Sequence, residues 1–262
     1  MFHWSLQSLL STLSLVLSLS TLGSSEGGGQ TIKYTASLGD TVKCLSEVNA
    51  AREAAGLPNF AEAPTDNKLK DPPQGTALEE ESEWKKLCTH LIPTEGTEEA
   101  ASSRSTNPFE EGTYAFKSLA DAEPNCKETV DYWKAAYKNF TGLPPSKTKD
   151  ENLYSNQDNV SFVALYNPSS SATADCRVVT CTQTTTTTTG GGMESAHVEG
   201  ETSKNGYALI CKTMPAAFGD GSSAPFTQEQ WDRIISSLTG SASIAVPSFI
   251  ALAIVTFGIT TL

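Results

Sequence analysis

Cysteine is the residue type whose number and spacing in this chain most directly indicate chemistry. An even number of cysteines is typical of disulfide-bonded domains that mature in an oxidising compartment, so we predict three disulfides. A zinc site is the alternative, but no two cysteines are two to four residues apart and histidine is scarce. The six cysteines are Cys44, Cys88, Cys126, Cys176, Cys181 and Cys211.

Two of these cysteines, Cys176 and Cys181, lie five residues apart. An odd spacing on one continuous strand places side chains on opposite faces of a sheet, so we expect these two cysteines to have different partners. The connectivity stays open at this point, with a bond between Cys181 and Cys211 as one candidate.

The other residue types that perform catalysis or bind metals form no recognisable constellation. His90 and His197 lie in distant segments, and no Gly-x-Ser-x-Gly turn surrounds any serine. The glutamates at residues 79–81 and 98–99 lack the alternating ligands and the glycine of a calcium loop. We therefore predict no catalytic, cofactor-binding or metal-binding residues and a protein that is not an enzyme.

A signal peptide is predicted for residues 1–25. An apolar run rich in leucine and serine ends there at the small residues Gly23, Ser24 and Ser25. An uncleaved N-terminal anchor is the alternative, because no lysine or arginine precedes the run.

Residues 241–262 are predicted to be a removable signal for a glycosylphosphatidylinositol (GPI) anchor. Small residues precede an uncharged apolar run, which suits anchor attachment at Gly240 or Ser241. A transmembrane helix is the alternative, but Pro247 and Gly258 interrupt a span of marginal length.

The part between these signals, residues 26–240, is predicted to be one ectodomain on the outer face of the plasma membrane. It holds the whole formal charge of −12, which argues against nucleic acid and anionic lipid headgroups as partners. Asn-x-Ser/Thr triplets predict N-glycosylation at Asn139 and Asn159.

Four segments have helical patterns. The first is predicted to begin at Asp40 and to end at Gly56, and a short one surrounds Trp84. Asn125 and Thr227 are followed three residues later by glutamate or glutamine, which predicts a capped helix after each.

Three segments have strand patterns. Residues 160–166 are apolar on both faces and are predicted to form a central strand, with residues 177–182 beside it and residues 207–212 as a third. Residues 184–192 are threonines followed by glycines, so we predict a flexible loop over residues 183–205 that is a hairpin tip or an insertion. Helices followed by strands and a closing helix predict a layered α+β domain.

Several segments, taken in chain order, carry a resemblance to known families. They are residues 44–60 (CLSEVNAAREAAGLPNF), 130–134 (VDYWK), 160–168 (VSFVALYNP), 176–181, 209–211 (LIC) and 225–231. These segments resemble the surface antigens (SAG) of Eimeria, an apicomplexan parasite. They also resemble, more distantly, the CAP superfamily of cysteine-rich secretory, antigen 5 and pathogenesis-related proteins.

The CAP resemblance implies a three-layer α/β/α sandwich. CAP proteins commonly gather two histidines and two acidic residues in a cleft, whereas here the strand position expected to supply one histidine reads Val160-Ser161-Phe162. The resemblance therefore implies the fold without that site.

The SAG resemblance implies a GPI-anchored parasite surface antigen that attaches to host cells. Its expected partners are host cell surface molecules and host antibodies, and the expected contact regions are residues 63–81, 94–107 and 183–205. The alternatives are a passive coat or decoy protein without a receptor, and a CAP-like carrier of a small apolar ligand.

Overall fold

A computed structural model of the protein describes residues 29–94, 112–189 and 197–240. Within this part of the chain five strands form one sheet in the order β1-β4-β5-β3, and β2 pairs with β4 on the same side as β1. The strands are β1 Gly29–Leu38, β2 Ala61–Glu62, β3 Thr113–Leu119, β4 Thr173–Thr189 and β5 His197–Met214.

The α-helices lie between the strands in sequence, except for the last one, which follows β5. They are α1 Leu45–Ala54, α2 Glu83–Leu91, α3 Cys126–Ala135, α4 Glu151–Tyr154, α5 Gln157–Leu165 and α6 Gln228–Thr239. Short 3-10 helices occur at Thr65–Asn67 and Ala136–Asn139.

The sheet packs against a hydrophobic core on each face, because successive side chains of a strand point to opposite sides. On the α5 face, Val178 and Leu209 join a core with α1, α3, α5 and α6. On the α2 face, Val179 and Ile210 join a second core with α2 and with Leu69 from the loop before it. The predicted α+β class is confirmed.

Residues 160–166 are helical, so the predicted central strand is wrong. They belong mainly to α5, in which Phe162, Val163 and Ala164 are all fully buried. An apolar run covered on all sides fits a buried helix as well as a buried strand, and pattern alone does not separate them. The local signal is Asn156, whose side chain accepts a hydrogen bond from the backbone N–H of Asp158 and begins the helix.

The predicted helix ends are mostly confirmed. Asn125 accepts a hydrogen bond from the N–H of Glu128, and Thr227 forms a reciprocal capping box with Gln230. The first helix begins at Leu45 rather than at Asp40, because Cys44 adopts a left-handed conformation with φ of 62°. A helix cannot run through such a residue, so the preceding segment forms a turn instead.

The described part of residues 183–205 belongs to a hairpin of β4 and β5, as one of the two alternatives predicts, but it forms regular strands and not a flexible loop. Residues 184–189 are part of β4 and pair with β1 on one side and with β5 on the other. Threonine is β-branched and fits a pleated strand, which is why a low-complexity run still adopts regular structure. Residues 190–196 lie outside the described part of the chain.

Three disulfides fix the elements to each other, as predicted from the cysteine count. They join Cys44 to Cys126, Cys88 to Cys181 and Cys176 to Cys211. Cys176 and Cys181 face opposite cores and have different partners, as expected. The candidate bond between Cys181 and Cys211 is wrong, because these two side chains also lie on opposite faces of the sheet.

Candidate functional site

Three strands extend past both hydrophobic cores as a ribbon, which we define as residues 29–33 of β1, 184–189 of β4 and 197–204 of β5. β3 pairs with β5 only from Tyr207 onwards, so it takes no part in the ribbon. Residues 29–33 and 200–204 are exposed. At about 3.3 Å per residue the ribbon projects roughly 20 Å from the body.

The base of the ribbon is fixed to α2. The Tyr34 hydroxyl donates a hydrogen bond to the carbonyl of Ile92 at 2.9 Å, and the Gln183 amide donates to the Tyr34 hydroxyl at 2.6 Å. Gly206 lies so close to α2 that a Cβ atom there would be 2.7 Å from Ile92. The disulfide between Cys88 and Cys181 adds a covalent link. These contacts predict a ribbon that keeps a fixed direction relative to the body.

The ribbon surface is rich in hydroxyl groups. The strand register places threonine and serine side chains side by side across the three strands, with Thr186 beside Thr31 and Thr184 beside Ser203. Two lysines, Lys33 and Lys204, are balanced by two glutamates, Glu199 and Glu201, so the ribbon has no formal net charge. The entire charge of −12 therefore lies elsewhere in the chain.

The end of α6 lies near the opposite end of the sheet from the ribbon. Ser237, in the last turn of α6, lies beside Tyr166. Asn167, which follows Tyr166 in the chain, donates hydrogen bonds to the Thr213 hydroxyl and to the carbonyl of Pro215, where β5 ends. β4 and β5 stay paired from this end to the tip of the ribbon, about 50 Å away, with one irregularity between Thr187 and Thr188.

Comparison with known proteins identifies the family. A family model described as the sporozoite surface antigen (SAG) protein domain matches residues 40–253. The chain belongs to the SAG family. It is similar to the sporulated oocyst TA4 antigen of Eimeria tenella, with 31% identity over 227 residues that cover 79% of this chain and 82% of that antigen. No solved structure matches the chain.

Family membership indicates a cell-surface protein. Within the described residues of this SAG protein, no helix is both long and apolar enough to cross a membrane. The predicted signal peptide and the predicted anchor signal lie outside the described residues, apart from Gly240, which ends α6 with a left-handed φ of 67°.

The other two predicted contact regions of the SAG protein differ from the ribbon in burial or in how far the structure describes them. Residues 63–81 are partly buried, because Leu69 donates its N–H to the Asp175 carboxylate and Leu78 donates its N–H to the carbonyl of Tyr34. Of residues 94–107, only Thr94 lies within the described part of the chain. Among the ribbon residues whose exposure the structure describes none is buried, whereas residues 63–81 include four buried ones.

No group of three histidine, cysteine or acidic side chains is placed to bind a metal within the described ranges. His90 packs with its ring centroid 6.0 Å from that of Phe116, and His197 begins β5. A cavity of about 200 Å³ lies at the start of α3 and is lined by charged as well as apolar residues, including Lys117 and Glu128. An ion pair of 2.8 Å joins these two side chains.

The two predicted glycosylation sites have different surroundings. Asn139 is exposed, and its amide nitrogen donates to the amide oxygen of Asn159 at 2.7 Å. Asn159 is 2% exposed, and its amide nitrogen donates to the carbonyl of Leu153 at 2.7 Å. A glycan on Asn159 would have no space in the folded protein, so the difference in burial favours Asn139 over Asn159.

Proposed function

We propose that this SAG protein is a surface antigen that attaches to host cell molecules through its ribbon. The observation that carries the proposal is the projection of a hydroxyl-rich ribbon without net charge from the end of the molecule opposite the end of α6. Hydroxyl and amide groups on an exposed surface form hydrogen bonds with a polar partner such as a glycan or a protein loop. Membership in a surface antigen family favours binding over catalysis.

Anchoring is the second part of the proposal. A signal peptide over residues 1–25 and a GPI anchor at Gly240 or Ser241 would attach the chain to the membrane directly after α6, with the ribbon on the far side. Treatment of expressing cells with a phosphatidylinositol-specific phospholipase C tests this arrangement. Release of the protein into the medium is expected, and retention on the cells would contradict a GPI anchor.

We further propose the CAP-like three-layer α/β/α sandwich as the fold. The two cores on opposite faces of the sheet support it. A crystal structure that superimposes on CAP proteins helix by helix would establish this fold, and a different helix order around the sheet would exclude it.

Binding to intact host epithelial cells tests the attachment function. The full chain, expressed with its disulfides intact, is expected to bind saturably. The variant Thr31→Glu with Ser203→Glu places two charges on one face of the ribbon and is expected to lose most of this binding. The matched control, Ser170→Glu with Ser171→Glu, adds the same charges at exposed positions before β4 and is expected to bind normally.

Two other outcomes have distinct meanings. Linear, unsaturable binding would favour the passive coat or decoy function, in which host antibodies are the only partners. Saturable binding that both variants retain would place the contact surface outside the ribbon.

A further inference from the structure

The outer edge of β1 is a second feature of the ribbon, independent of its side-chain surface. β4 lies on one side of β1, and the backbone groups on the other side alternate along the strand. The carbonyl of Tyr34 accepts the N–H of Leu78 at 2.8 Å, so it points away from β4. By alternation, the N–H and C=O groups of Gln30 and Ile32 also point outward.

These outward groups form an unprotected strand edge. No described residue forms a hydrogen bond with the outward N–H or C=O group of Gln30 or Ile32. Exposed edges are usually blocked by proline, a bulge or several charges. β1 pairs with β4 in continuous register, contains no proline and exposes 36% of Ile32. The opposite edge of the ribbon, in β5, carries three charged residues over residues 199–204.

We propose that this edge pairs with the same edge of a second copy of the chain, antiparallel about a twofold axis at Thr31. This centre places Gln30 opposite Ile32 of the partner subunit and allows four backbone hydrogen bonds. An axis at Ile32 would place Gln30 opposite Tyr34 of the partner subunit, whose outward carbonyl already accepts a hydrogen bond from Leu78. Tyr34 is also only 3% exposed, so a partner strand cannot reach it, whereas all four bonds of the register at Thr31 fall on the exposed part of the edge.

Side chains and overall shape are compatible with this pairing. Ile32 and Ile32 of the partner subunit become diagonal neighbours on the α2 face, which covers an exposed apolar side chain. The ribbon has no net charge, so its contact with a second ribbon is not opposed by net repulsion. Antiparallel pairing places the two acidic bodies at opposite ends of the joined ribbons, so the bodies do not meet.

The contact is small. A pairing over about five residues buries far less than the roughly 800 Å² per partner that is typical of stable complexes. We therefore expect a weak dimer that is best detected by covalent trapping.

Cysteine trapping in the full chain, expressed in insect cells under oxidising conditions, tests the register. Opposed residues in a non-hydrogen-bonded antiparallel pair have Cα atoms about 4.5 Å apart, which suits a disulfide. Thr31→Cys is expected to give a dimer on a non-reducing gel. The matched control is Ser37→Cys, which is exposed on the same face of the same strand but would lie about 40 Å from its copy. This control is expected to stay monomeric.

A second substitution separates edge pairing from random collision. Ile32→Pro removes one outward N–H without removing a bond to β4 and should abolish the dimer that Thr31→Cys forms. Absence of a dimer from Thr31→Cys, equal trapping by Ser37→Cys, or trapping that persists with Ile32→Pro would each overturn the proposal. None of these outcomes depends on host cell binding, so failure here is distinguishable from failure of the proposed function.

Discussion

At the scale of single residues, Arg52 shows how one polar side chain joins several elements. It is fully buried on α1, and its guanidinium donates to the carbonyls of Pro58, Leu165 and Asn167 at 2.9 to 3.0 Å. The guanidinium carbon also lies 3.6 Å from the centre of the Phe60 ring. Burial lowers the pKa of Arg52 to about 10. The three carbonyl oxygens offset part of this cost of burial, whereas the buried Nη2 has no hydrogen-bond partner within the described residues.

Replacement of Arg52 is expected to destabilise the domain strongly. Arg52→Met keeps much of the side-chain volume but leaves three carbonyls without their donor, which should lower the free energy of unfolding by about 3 kcal/mol. Arg52→Lys retains the charge but not the planar fork, so it should also be destabilising. Urea denaturation of the oxidised protein measures both. A Met variant as stable as the wild type would show that the hydrogen bonds contribute no net stability.

Gly206 provides a second residue-scale prediction. A methyl group at this position would lie 2.7 Å from a side-chain carbon of Ile92 and 2.9 Å from Leu91, so α2 would have to move away from β5. Gly206→Ala should therefore cost about 1–3 kcal/mol of stability. Gly142→Ala is the matched control, because no atom lies within 4 Å of the added carbon. Equal thermal stability of the two variants would mean that α2 adjusts freely.

At the scale of elements, the sequence predicts those helix boundaries that depend on residues adjacent in the chain. The starts of α3 and α6 follow from Asn125 and Thr227, because a cap acts within one turn of helix. The segment that forms α5 was predicted to be a strand. A buried apolar run fits a helix or a strand equally well, and the elements packed around it determine which of the two forms. β1 was not predicted, although Ile32, Tyr34 and Ala36 alternate with polar residues, which is a recognisable strand pattern.

The ribbon was predicted only in part, for a related reason. The sequence singled out residues 183–205 as a contact region but not residues 29–33, which are far away in the chain. Strand pairing brings the two segments together, with Thr31 directly beside Thr186. Such long-range pairing leaves no local signal in a single sequence.

The disulfide between Cys88 and Cys181 is expected to stabilise the attachment of the ribbon base to α2. It joins α2 to β4 across 93 residues of sequence. Replacing both cysteines by alanine should lower stability by about 2–4 kcal/mol, because the unfolded chain is no longer constrained. Hydrogen exchange should also speed up at the backbone N–H of Gln183, which lies two residues from Cys181 and faces β5. Unchanged exchange at this residue would show that hydrogen bonding to Ile92 alone holds the ribbon.

At the scale of the whole molecule, charge separates the ribbon from the body. The chain carries a formal charge of −12, and none of this net charge belongs to the ribbon. Host cell surfaces are themselves negatively charged, so the body is repelled while the ribbon is not. This repulsion acts over about 10 Å at moderate salt, which is less than the projection of roughly 20 Å.

Salt should therefore strengthen attachment rather than weaken it. Raising NaCl from about 50 mM to about 500 mM shortens the screening length from about 13 Å to about 4 Å and reduces the repulsion between body and cell. Saturable binding to fixed epithelial cells, at constant osmolarity, should rise or stay level over this range. The control variant Ser170→Glu with Ser171→Glu adds its charges at the end of the sheet far from the ribbon, beyond the screening length, so it should show the same salt dependence as the wild type. Binding that falls steeply with salt would instead mean that lysines, which include Lys33 and Lys204 of the ribbon, contact anionic groups on the host, and it would contradict attachment through hydroxyl groups alone.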